Sequence, residues 1–157
     1  MKKTFFILTV GLASLMMSCA KEDTTPAPVV QTLYDRLGGL PAISAVVDQF
    51  ISNVAADPKM LRTFKPLLED VGKGKTGGLT ALRNNLIDQI GEAAGGPLRY
   101  KGKDMVTAHK GMNITEDEFG ALVNDLVLAL DKFKVPATEK GELLSVLGGM
   151  KGQIVGK

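Results

Sequence analysis

The stretch Thr115-Glu116-Asp117-Glu118-Phe119-Gly120-Ala121-Leu122-Val123-Asn124-Asp125-Leu126-Val127-Leu128-Ala129-Leu130 decides the fold class. It opens as a capping box. The Thr115 hydroxyl can accept from the backbone three residues on, and the Glu118 carboxylate can return the bond. Phe119, Leu122, Val123, Leu126, Val127 and Leu130 then recur at spacings of three and four, which gathers them on one side of a helix. Val135-Pro136 closes that helix, because proline lacks the N–H and keeps the residue before it out of helical geometry.

The same period extends outward in both directions. Residues 138–150 predict a last helix with Leu143, Leu144, Leu147 and Met150 inward. Upstream, residues 79–90 carry Leu79, Leu82, Leu86 and Ile90 as one apolar stripe, with Asn85 and Gln89 beside it rather than on it. Residues 41–54 begin at Pro41, well placed in a first helical turn, and bring Ile43, Val46, Val47, Phe50, Ile51 and Val54 together. Asp57-Pro58 ends that helix and starts a short one through Phe64. No stretch alternates with a period of two, so the expected class is all-α. Gly38-Gly39, Gly77-Gly78 and Gly95-Gly96-Pro97 punctuate the helices as sharp corners. Gly72-Lys73-Gly74-Lys75-Thr76 contains a GKT triplet, but the glycine of a phosphate-cradling loop is missing upstream and no strand precedes it.

The chain has 157 residues, enough for one cored domain, with 19 Lys+Arg against 17 Asp+Glu, one cysteine, one histidine and no tryptophan. A net charge of +2 without a Lys/Arg cluster gives no electrostatic footprint for nucleic acid. A lone cysteine excludes an intrachain disulfide framework and any zinc site built on several thiolates.

Residues 1–18 read as a lipoprotein signal peptide: Lys2 and Lys3, then a mostly apolar run from Phe5 to Met17. That run is too short to cross ~30 Å of hydrocarbon as a helix. It ends Leu15-Met16-Met17-Ser18-Cys19, which resembles the lipobox of bacterial lipoproteins, with Met16 where leucine is more usual. The resemblance implies that Cys19 is lipidated and anchors an exported protein to a membrane, on its periplasmic or cell-surface side. An ordinary signal peptide with an incidental cysteine is the alternative. Residues 19–31 then form the lipidated cysteine and a flexible, Pro-containing tether, and residues 32–157 form the domain. Removing 1–18 takes away two lysines and no acid, leaving 17 basic against 17 acidic residues.

His109 sits in Asp104-Met105-Val106-Thr107-Ala108-His109-Lys110-Gly111-Met112. A zinc site would need further ligands that this chain offers only as carboxylates. Haem needs only one neutral imidazole nitrogen and a large apolar cleft, which the leucine-rich helices can supply.

The order Leu33-Tyr34-Asp35-Arg36-Leu37-Gly38-Gly39, Phe50, Phe64, Gly95-Gly96-Pro97, Tyr100-Lys101-Gly102, then Met105 and Ala108-His109-Lys110-Gly111-Met112, resembles the group I truncated haemoglobins over residues 32–155. The resemblance implies a two-over-two helical sandwich around haem b. It gives His109 as the proximal iron ligand, Phe64 as the phenylalanine packed on the haem face, and Met105 as a proximal-side packing residue. It also implies that Phe50, Leu82, Leu86 and Ile90 line the distal and inner pocket, where ordinary core packing is the competing reading. Tyr100, with Arg99 and Lys101, falls where the family runs near the haem edge, as a propionate contact or as solvated surface. Most group I members carry a tyrosine after Phe50, and this chain has Ile51; the facing helix, commonly polar, presents Leu82 and Leu86.

The expected function is reversible binding of O2, NO or CO at a haem in an unusually apolar distal pocket. A haem-dependent NO-consuming or peroxidase-like enzyme served by a reductase, and a helical interaction module without haem, are the alternatives.

Overall fold

The computed structural model describes residues 30–157. The expected signal peptide, the expected lipidation site Cys19 and most of the expected tether lie outside the described residues. Seven α-helices follow in order: α1 (Leu33–Arg36), α2 (Gly39–Ala56), α3 (Leu61–Gly72), α4 (Gly77–Ala93), α5 (Met105–His109), α6 (Glu116–Lys132) and α7 (Ala137–Gly148). Short 3-10 turns at Pro58–Met60 and Lys151–Gln153 lead into α3 and follow α7. Among the described residues no strand occurs. The one extended pairing is an isolated bridge between Ile114 and Val155.

α2 packs against α4 and against α6, and α7 covers α6 and α4, so two layers of two helices cross. The all-α, two-over-two expectation holds. The core between the layers is built from Ile43, Val46, Val47, Phe50 and Val54 of α2 and from Ile87 and Ile90 of α4. Leu126, Ala129 and Leu130 of α6 and Leu143 of α7 complete it. All the α2 positions predicted to be inward are buried except Ile51, which is half-buried. α6 buries small and charged residues as well: Ala121, Ala129, Glu118 and Asp125 lie between its leucines.

Helix ends follow local chemistry. Thr115 and Glu118 form the predicted capping box on α6, and Thr32 with Asp35 forms another on α1. Gly38, at φ 92°, turns the chain sharply into α2, a left-handed conformation that glycine adopts without a Cβ clash. Gly96 allows the loop after α4 to pass close over Tyr34. α3 runs further than the sequence suggests. It continues through Pro66 to Gly72 although proline forgoes the bond back to Arg62. Its apolar side, Phe64, Leu67 and Leu68, meets a cleft rather than a core, and no residue of α3 is buried.

Candidate functional site

α4 has two apolar sides. Ile87, Ile90 and Gly91 are buried against the core, whereas Leu79, Leu82 and Leu86 are only half-buried. Three leucines left partly uncovered on one helix face mark a cleft, because apolar surface of that extent is ordinarily packed. Two adjoining cavities lie there, with about 590 and 730 Å³ of empty space. Phe50, Leu86, His109 and Leu122 line both, so His109 stands where the two meet.

The first cavity is walled by Ile51 of α2, Phe64, Leu67 and Leu68 of α3, and Leu79 and Leu82 of α4. The second reaches inward past Gln89 and Ile90 to Met105, Phe119, Leu144, Leu147 and Met150. The cleft therefore brings together eight of the nine residues named from the sequence: His109, Phe64, Phe50, Ile51, Leu82, Leu86, Ile90 and Met105. It does not bring in Tyr100. That side chain lines neither cavity; its hydroxyl donates to the Lys103 carbonyl at 2.8 Å, and its backbone N–H donates to Glu92. The ring lies over Gly102, where a Cβ would come within 2.3 Å of the hydroxyl. Burial, then the Asp104 charge, pushes the Tyr100 hydroxyl up from its ordinary value.

Among the lining residues that sequence reasoning did not assign to the site are Leu67, Leu68 and Gln89. Leu67 and Leu68 follow Phe64 at the three and four spacing of a helix, and Pro66 between them obscured the period. Gln89, placed beside the stripe, in fact faces the second cavity, where its amide donates to the Met105 and Met150 sulfurs at 3.3 and 3.2 Å. Thioether sulfur is a weak acceptor, so this bridge from α4 to α5 is soft.

α5 is five residues long and ends at His109. Asp104 caps it, accepting from the Thr107 backbone at 2.9 Å, and hydrogen bonds from Thr107 hold the Asp104 carboxyl below its usual range. His109 Nδ1 lies 2.7 Å from the Met105 carbonyl one turn back. A carbonyl only accepts, so Nδ1 carries the proton and the Nε2 lone pair is left available. Nε2 has no hydrogen-bond partner among the described residues.

Charges ring the cleft without entering it. Arg83 of α4 pairs with Asp48 of α2, which lowers the Asp48 carboxyl. Arg62 forks onto buried Glu118 at 2.8 and 2.6 Å. With that guanidinium first, and Thr115 and Thr63 bonds added, the Glu118 carboxyl is pulled down to about 2. Asp125 is buried on the far side of α6 and is pushed up by burial and then by Asp57. Among the described residues no group of three or more His, Cys, Asp and Glu side chains is placed to hold a metal ion. Chemically, the cleft offers one imidazole nitrogen with a free lone pair in a space lined almost wholly by apolar side chains.

Comparison with known proteins agrees with that geometry. The bacterial-like globin family matches residues 32–155. The group 1 truncated haemoglobin of Tetrahymena pyriformis is 34% identical over 128 residues, covering 81% of this chain and 97% of that protein. That of Nostoc commune is 31% identical, covering 82% and 100%. The crystal structure of the Tetrahymena pyriformis protein in its Fe(III) form superposes with a TM-score of 0.71 at 31% identity, covering 81% of this chain and all of that one. The two-over-two haemoglobin of Synechococcus, crystallised with covalently attached haem, gives 0.65 at 25% identity, covering 78% and 95%. Fold, cleft and sequence agree: the chain belongs to the bacterial-like globin family, among the group 1 truncated haemoglobins.

Proposed function

We propose that this chain is a haem-binding globin in which His109 is the proximal ligand and the apolar cleft receives diatomic gases. The observation that carries the reading is the 2.7 Å bond from His109 Nδ1 to the Met105 carbonyl. A metal-bound histidine is typically oriented by such a bond from its other ring nitrogen, which fixes the tautomer and raises the basicity of the ligating nitrogen. The lining fits the group: leucine, isoleucine and phenylalanine match an apolar macrocycle, and one nitrogen suffices on the protein side. Haem iron, when bound, would supply a coordination position for a diatomic ligand.

The chain's own residues do the rest. Phe50, Phe64, Leu82 and Leu86 exclude water from the cleft. Ile51, Leu82 and Leu86 carry no N–H or O–H, so a gas held beside them receives no hydrogen bond from these side chains. O2, which gains more from a donor than CO or NO does, is then held less firmly relative to them than beside a hydroxyl or amide. Anchoring to a membrane through Cys19 rests on the lipobox-like run Leu15–Cys19. Among the described residues no helix is long and apolar enough to cross a membrane.

The test is one spectrum. Purified full-length protein supplied with haem is expected to show a Soret band, and His109→Ala is expected to lose or strongly shift it. Wild-type protein that stays colourless with added haem overturns the proposal.

A further inference from the structure

Arg62 lies on α3, two residues before Phe64, with a side chain 55% exposed. Its guanidinium does more than pair with Glu118. Nη1 donates to the Met112 carbonyl at 3.0 Å and Nη2 to the Asn113 carbonyl at 3.2 Å. Met112 and Asn113 form the corner directly after His109, and the Met112 N–H donates to the His109 carbonyl at 3.0 Å. Asn113 itself sits at φ 49°, a left-handed conformation that asparagine adopts more readily than most residues with a side chain and that turns the chain sharply here. From the other side the Asn113 N–H donates to the Lys157 carbonyl at 2.8 Å and Gly156 donates to Ile114 at 2.9 Å.

A five-residue helix does not hold itself in water, since isolated helices below ~12–15 residues are marginal. The position of α5, and with it His109, is therefore set by contacts at its ends. The geometry points to Arg62 as a positioning residue for the cofactor: through Met112 and Asn113 it fixes the corner carrying His109 against the α3 wall carrying Phe64. Both His109 and Phe64 line the first cavity, so one side chain sets the spacing of its two walls. Arginine suits this because its rigid fork serves a carboxylate and two carbonyls together, where a lysine ammonium is a single point.

A merely structural role is separable. Without Arg62, Glu118 still accepts from the Thr115 N–H and hydroxyl and from the Thr63 hydroxyl, so the α6 cap persists. The exposed side chain leaves no cavity behind. Arg36, which pairs with Glu139 and Glu142 of α7, provides a control ion-pair residue that lines neither cavity.

This inference rests on haem held by His109, and the experiment keeps the two apart. Full-length wild type, Arg62→Gln and Arg36→Gln are compared after loading with haem. Three quantities are read: the rate of haem transfer to an excess acceptor globin, the ferrous iron–histidine Raman band, and the melting temperature of the haem-free chain. Arg62→Gln is expected to speed haem loss about tenfold, the factor that ~1.4 kcal/mol represents, and to shift the band. Arg36→Gln is expected to change neither. If Arg62→Gln keeps the wild-type rate and band, or Arg36→Gln moves both as far, the inference is overturned. A wild type without a Soret band overturns the haem reading itself.

Discussion

If the cleft receives haem and a diatomic gas as proposed, placing a single donor in the first cavity tests how its apolar lining governs ligand release. Ile51 is half-buried on α2 and shares the first cavity with Phe64, Leu82, Leu86 and His109. Ile51→Tyr puts a phenol into that cavity. A hydrogen bond to a charge-polarised acceptor contributes about 1.5–3 kcal/mol. Tenfold per ~1.4 kcal/mol makes that a 10- to 150-fold slowing of O2 release. CO draws little on a donor and is expected to change by less than about threefold, on the scale of a neutral contact worth ~0.5 kcal/mol. Stopped-flow replacement of O2 by CO, with flash photolysis for CO rebinding, measures both. If wild type already releases O2 as slowly as Ile51→Tyr, another group supplies the bond and the argument from an apolar lining fails. If O2 and CO slow equally, the tyrosine acts by bulk alone.

Glu118 links stability to acid. Its carboxyl lies at about 2 against an ordinary 4.5, so its contribution is complete above pH 4.5 and is lost as pH falls toward 2. Glu118→Gln is expected to be about 1–3 kcal/mol less stable at pH 7, with a shallower loss between pH 4.5 and 2 than wild type. Urea midpoints across that range check the sign, and parallel curves would contradict it. At Gly96 a Cβ would stand 2.4 Å from the Tyr34 ring and 2.8 Å from the Gly91 carbonyl oxygen. Gly96→Ala is accordingly expected to cost about 1–3 kcal/mol in overpacking, read as a lowered thermal midpoint.

Most of the fold was legible because it rests on short-range rules. The α6 capping box, the proline after Val135 and the three-and-four spacing of α2 are local signals, and each element stands where they point. The extension of α3 beyond Phe64 was not legible. Pro66 weighs against a helix locally, and only the cleft, built from distant helices, gives Leu67 and Leu68 a reason to share its face. The two sides of α4 show the same limit. Leu82 and Ile90 look alike in sequence, yet Ile90 is buried in the core while Leu82 is half-exposed on a cavity. Arg62 and Glu118, 56 residues apart, carry no local mark of their pairing. Gln89 faces the second cavity because the loop after α4 returns α5 beside it.

The shortness of α5 has a consequence for transplanting the site. A ligand-bearing segment can be moved to another scaffold when its shape is its own, as in a long helix or a closed metal loop. Here the shape of residues 105–113 is lent by Arg62 on one side and by residues 155–157 on the other. Grafting the histidine motif alone would carry the imidazole without its bearing. The portable unit is nearly the whole domain, and an apparently remote substitution at 62 or 156 belongs among changes to the cofactor's seat.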